Sequence, residues 1–165
     1  MKRNGRPLRL VPPVVEKRPA YTVAPFHSPP FSVQALILEE DTWFALSHSP
    51  EFRPTSAHPI RVMTDAWEAR PVPPGSVHVR QSNPYRILAI VHDLAEDPTW
   101  RVEWIEEALR QGLATACDCG LRAIGIEPLG AVHGRYPVAD FDVLLERVLD
   151  SEPSWSALRI WRIEP

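Results

Sequence analysis

Between Tyr85 and Ile126 the chain passes from a continuous apolar stretch, through a long segment with one apolar face, into a second apolar stretch. This order constrains the fold more than any other feature. Tyr85-Arg-Ile-Leu-Ala-Ile-Val91 has the hydrophobicity of a strand covered on both faces. After it, Trp104, Ile105, Ala108, Leu109, Gly112, Leu113 and Ala116 recur at spacings that put them on one side of a helix, with Glu103, Glu106, Glu107 and Arg110 on the other. Asp97 suits the N-cap, Pro98 the first helical position, and Gly120 the left-handed residue that ends a helix. Leu121–Ile126 then reads as a strand, with Gly125 leaving room for a neighbour. A strand–helix–strand unit of this size predicts a right-handed crossover onto a parallel strand.

The flanking segments extend this pattern. Ser76–Arg80 alternates polar and apolar residues, and the short Ser82-Asn83-Pro84 turn makes it an antiparallel neighbour of the Tyr85 strand. Phe31–Leu38 reads as a first strand, Glu39-Glu40-Asp41 as a turn, and Thr42–Leu46 as a short buried strand. From Ser47 to Pro74 prolines break regular structure, and only Ile60–Trp67 is a candidate for a short element. Val138–Leu149 carries Val138, Phe141, Leu144, Leu145 and Val148 on one helical face, and Ala157–Ile163 alternates as a last strand. The expected class is α/β, a mixed, mostly parallel sheet of about six strands with helices on both faces.

A chain of 165 residues with 44% hydrophobic content fits one domain with a substantial core, and six tryptophans argue against disorder over most of its length. The 19 prolines concentrate before residue 31 and between Pro50 and Pro84. Residues 1–30 are therefore expected to be an arm or linker, with 31–165 a single domain. The arm holds six basic residues and one acid, which leaves the rest at −8 within a net charge of −3. It reads as a solubilising tail or as a contact for a protein or nucleic-acid partner; the acidic remainder is no nucleic-acid binder. Cys117 and Cys119 have neither zinc nor redox spacing and read as reduced packing residues. No run suits a signal peptide or a membrane span, so a cytoplasmic protein without membrane contact is expected. The sequence calls for no cofactor and no metal.

Ile124-Gly-Ile-Glu-Pro-Leu-Gly-Ala-Val-His-Gly-Arg-Tyr-Pro137 runs from a strand into a glycine-bracketed loop with a helix after it. Leu129, Gly130, Ala131, Val132, His133, Gly134 and Arg135 would lie where free backbone N–H groups gather at a strand's carboxyl end and a helix's amino end. One reading is a phosphate cradle with Arg135 adding charge; the other is an ordinary connection needing two tight turns. His92-Asp93 ends the Tyr85 strand at the same edge, so His92, Asp93 and His133 could share a cleft, as ligand contacts, as an acid–base set, or as residues that satisfy backbone groups. Ser47-His48-Ser49 reads as a polar turn on that rim, and His58 and His78 as surface residues. Among the tryptophans, Trp104 and Trp161 read as core. Any of the others could pack or stack on a base.

In order, the strand pair, the hairpin, Val91-His92-Asp93, the long helix, Pro128-Leu-Gly-Ala-Val-His-Gly134 and the final helix and strand resemble the second half of a macro domain, of the ADP-ribose-binding and -processing type. The resemblance covers residues 75–165 well and 31–74 poorly. It implies that the Gly130–Arg135 loop lies against phosphate and that the Val91-His92 strand end leads into the cleft. The family's first strand ends in Gly-Asp-Ile, whose Asp holds the adenine amine, and Leu38-Glu-Glu-Asp-Thr42 stands in that place. Its second strand ends in an Asn-rich segment, for which Leu46-Ser-His-Ser-Pro50 stands. The resemblance therefore implies binding of ADP-ribose or a related phosphorylated nucleotide by a degenerate domain. The alternatives are an ADP-ribosyl or phosphoester hydrolase acting through His92, Asp93 and His133, with or without a metal ion, and a non-catalytic interaction module.

Overall fold

The computed structural model describes residues 20–46 and 70–165. In chain order the elements are β1 (Tyr21–Pro25), β2 (Ala35–Asp41), β3 (Val77–Arg80), β4 (Tyr85–His92), α1 (Val102–Asp118), β5 (Ala123–Ile126), α2 (Val138–Ser151), a 3₁₀ turn over Pro153–Ala157 and β6 (Arg159–Glu164). They build one six-stranded sheet in the order β1-β6-β5-β2-β4-β3. Only the β3–β4 hairpin is antiparallel. The expected mostly parallel, six-stranded α/β architecture is what the chain forms.

Helices were expected on both faces; among the described residues both α-helices bury against the one carrying Ala35, Ile37, Ile87, Ala89, Val91, Ile124 and Ile126. The stripe read from the sequence is the one used: Ile105, Ala108, Leu109, Gly112, Leu113 and Ala116 are buried along α1. Each large aliphatic side chain so covered contributes about 2 kcal/mol. Trp104 is the exception. It sits half-buried at the rim beneath the Arg101 guanidinium, 4.9 Å from its ring centre. The opposite sheet face carries a smaller cluster of Leu36, Trp161 and Ile163. Gly125 lies between them, and a Cβ there would come within 2.7 Å of Leu36 and 2.9 Å of Trp161.

Four local expectations need correcting. The sheet begins at Tyr21 rather than Phe31: the stretch assigned to the arm supplies β1, which pairs with β6 from Tyr21↔Ile160 to Pro25↔Glu164. Proline is tolerated there because β1 is an edge strand and Pro25 is its last residue. Glu39-Glu40-Asp41 is not a turn but the buried end of β2, the second strand in the chain. Leu38–Thr42, expected at the end of the first strand, therefore stands at the end of the second. Thr42–Leu46 is a turn, not a strand, gathered around the Asp41 carboxylate. Finally, α1 starts at Val102 with Arg101 at its N-cap, not at Asp97-Pro98. The Asp93 N–H donates to the Thr99 carbonyl at 2.7 Å and His92 bridges to Trp100, so residues 93–100 form a closed loop before the helix can start. Gly120 does end α1 with φ of +70°.

Residues 1–19 and 47–69 lie outside the described residues, and with them Ser47-His48-Ser49, His58, the Ile60–Trp67 element and most of the basic arm. Cys117 is half-buried but Cys119 is exposed, so only the first packs. Among the described residues no helix is long and apolar enough to cross a membrane.

The crowding at Gly125 yields a direct test. Gly125→Val should lower stability by about 1–3 kcal/mol, since the added atoms press on the buried Trp161 ring and force Leu36 towards the cleft it lines. Thermal or urea unfolding at neutral pH would measure it, and an unchanged midpoint would contradict the packing described.

Candidate functional site

The sheet's carboxyl edge is built on three consecutive acids, and a strand sends alternate side chains to opposite faces. Glu39 follows Ile37 on the helix-covered face and Glu40 follows Leu38 on the other. All three are buried: Glu39 is 5% exposed, and Glu40 and Asp41 are fully covered. Buried carboxylates persist only when hydrogen bonds replace the lost water, and here the following loops supply them. Asp41 accepts from the N–H groups of Trp43 (2.7 Å), Ala45 (2.7 Å) and Leu46 (2.8 Å). That winds residues 42–46 tightly enough to hold Phe44 at φ of +59°. Glu40 accepts from Asp41 and Leu46, each at 3.0 Å.

Glu39 organises the other side. One carboxylate oxygen accepts from the N–H of Gly130 at 2.7 Å and of Val132 at 3.3 Å. The other accepts from the His133 N–H and lies 3.3 Å from His92 Nε2. The loop after β5 and the strand end at His92 therefore do meet, and they meet on this side chain.

That meeting revises the part expected of each residue. His92 is 1% exposed, with Nδ1 on the Thr99 hydroxyl at 3.0 Å and Nε2 on Glu39, so both ring nitrogens are engaged. Asp93 accepts from the Ala95 N–H at 3.0 Å and shapes its own turn. Neither faces the cleft, because the 93–100 loop folds back over them. Leu129 is core, and the Ala131 N–H donates to the Pro128 carbonyl. Gly130, at φ of +80°, would place a Cβ 2.5 Å from Ile105, and Gly134 one 2.2 Å from the Gly130 carbonyl oxygen. The two glycines thus serve the loop's own closure, and a bulky residue at Gly130 would disrupt packing rather than only a ligand. Val132, His133 and Arg135 have exposed side chains. His78 is exposed on β3, in edge contact with Phe44 at 5.1 Å. Among the described residues no three His, Cys, Asp or Glu side chains gather as a metal site would require.

A cleft of about 480 Å³ opens on the face away from the helices. Its floor is Leu36 and Leu38 of β2 and Leu88 of β4, with Arg80, Arg86, Glu40, Glu127 and Leu46 around it. Phe26, just past β1, lies along it with its ring 6.3 Å from that of Trp161 and 60% exposed. Glu39 and His133 close the loop side. Two other depressions lie at the strands' amino ends, remote from this loop.

The residues missed from the sequence are Phe26, Glu39, Glu40, Arg86 and Glu127. A usable signal existed for two of them: Glu39 and Glu40 follow four apolar residues with no intervening Gly, Pro or Asn, which a turn would normally contain.

Glu127 gives the site a pH dependence. Burial, reinforced by the Glu39 carboxylate, pushes its carboxyl up to about 7, while the Glu39 N–H, 3.1 Å from Oε2, pulls it down. An unfolded chain releases this proton near 4.5 and the folded one near 7, so the folded state binds more protons between those values. Stability therefore falls as pH rises through that window, by at most about 3 kcal/mol. Glu127→Gln, which keeps the acceptor and cannot ionise, should flatten the slope from pH 4.5 to 7. It should also melt above the parent at pH 8; equal pH profiles would refute the assignment.

No family model matches the sequence, and no curated protein matches it. Solved structures do. The macrodomain of Thermus aquaticus DarG superposes with a TM-score of 0.62 at 19% identity, over 88% of this chain and 98% of that one. An Oceanobacillus iheyensis macrodomain with ADP gives 0.54 at 12%, over 81% and 76%. A Trypanosoma brucei macrodomain in complex with ADP-ribose gives 0.52 at 14%, over 80% and 58%.

Proposed function

Starting from a chain with the macrodomain fold, we propose that this protein binds a phosphorylated nucleotide of the ADP-ribose type in the cleft lined by Phe26, Leu38, Arg86 and His133, without catalysing its breakdown. The observation that carries this reading is the convergence of three backbone N–H groups, from Gly130, Val132 and His133, on one anionic group at the cleft's edge. Donors aimed at a single point at the carboxyl edge of a parallel sheet are what a phosphate requires. The exposed Phe26 ring offers a planar base a stacking surface, and Arg80 and Arg86 supply positive charge. The ligands of the solved neighbours, ADP and ADP-ribose, have this chemistry.

A binding role is favoured over hydrolysis by the state of the expected acid–base set. His92 has no free ring nitrogen, Asp93 is tied into a turn, and of the three only His133 borders the cleft.

Millimolar ADP-ribose should raise the melting temperature of the full chain. Phe26→Ala, at an exposed position that leaves the core intact, should weaken binding about tenfold, the typical loss of one stacked base. Calorimetric titration measures both. No shift with ADP-ribose, ADP or ATP, or undiminished affinity in Phe26→Ala, would overturn this site.

A further inference from the structure

A charged side chain normally leaves a strand end for water, yet the Glu39 carboxylate is fully covered. Four donors make this possible: the three loop N–H groups and His92 Nε2. Each of those amides has a single hydrogen to give, and an external anion reaching the loop would need the same hydrogens. It would also meet the charge of Glu39 itself, and that of Glu127 beside it once ionised. Glu39 and a phosphate therefore exclude one another.

We propose that Glu39 is an internal occupant of the loop's anion site, holding it in a liganded geometry, and that an external phosphate or carboxylate enters only as this side chain leaves. The inference rests on the reading of the cleft as a nucleotide site, which it extends by naming what the nucleotide must displace. Its consequence is a built-in competitor: the parent protein binds its nucleotide more weakly than the same loop would with the carboxylate removed. The loop stays shaped in the absence of ligand because one anion is always present.

The test is chemical complementation of Glu39→Ala in the full chain. That substitution removes the atoms of acetate, so acetate or formate should raise the variant's melting temperature by several degrees and leave the parent unchanged. Inorganic pyrophosphate should act likewise, and ADP-ribose should bind the variant at least tenfold more tightly than the parent. If acetate stabilises the variant but ADP-ribose binds neither protein, Glu39 is the internal occupant and the nucleotide reading fails. If ADP-ribose binds both equally and acetate does nothing, the nucleotide reading stands and the proposed occupancy is wrong. Should Glu39→Ala fail to fold, the parent still decides the matter through its backbone amide resonances. Saturating ADP-ribose should move those of Gly130, Val132 and His133 as the acceptor changes, and unmoved resonances would overturn the displacement.

Discussion

The carboxylate of Glu39 fixes more of this structure than any other group. It joins three elements that no apolar contact could align so closely: the end of β2, the loop after β5 and the strand end at His92. Removing an unpaired charge from water costs several kcal/mol, so the chain can bury this side chain only if every donor around it is in place. The dependence runs both ways. The positive φ of Gly130 turns the following chain so that the Val132 and His133 N–H groups reach the same carboxylate, and the Thr99 hydroxyl on Nδ1 holds the His92 ring with Nε2 on Glu39. Such a network is cooperative, and a loop organised by it is rigid.

The same logic repeats along β2. Glu39, Glu40 and Asp41 are each buried, and each accepts from backbone N–H groups. The charges of one central strand thereby dictate the paths of two loops on opposite sides of the sheet, residues 42–46 and 130–133. In both loops the backbone N–H groups at the strand ends find their anion within the chain itself. The frame is a macrodomain's, and the chemistry at the strand ends is its own.

How much of this could be read from sequence follows from the range of each force. The β4–α1–β5 unit and the α2 stripe were legible because hydrophobic periodicity is local, and the hairpin because its turn is short. β1 was hidden by Pro19 and Pro25 at its ends, which make a composition average look like a linker although the four residues from Tyr21 to Ala24 pair with β6. Among site residues, the meeting of His92 with the Gly130 loop was legible from strand order alone. Its mediator was not. A run of acids reads as solvent-facing unless the donors that neutralise it are known, and those of Glu39 lie 53 to 94 positions away in the chain. The role of Phe26 depended in turn on β1, and was lost with it.

Cleft electrostatics follow from the same carboxylates. Arg80 and Arg86 line the cleft together with Glu39, Glu40 and Glu127, so the pocket is close to balanced rather than strongly basic. Desolvation tips that balance: with Glu127 holding its proton up to about pH 7, the two arginines match Glu39 and Glu40 on the acidic side of neutrality, and the acids outweigh them above it. On the proposed reading, a diphosphate would be held chiefly by the loop donors that Glu39 now occupies and by the Phe26 surface, not by a positive field. This limits the affinity that charge alone can supply and makes geometry the selective element. A ligand must present both a planar group and an anion at the spacing between Phe26 and the Gly130 loop, and one lacking either half engages only one end of the cleft.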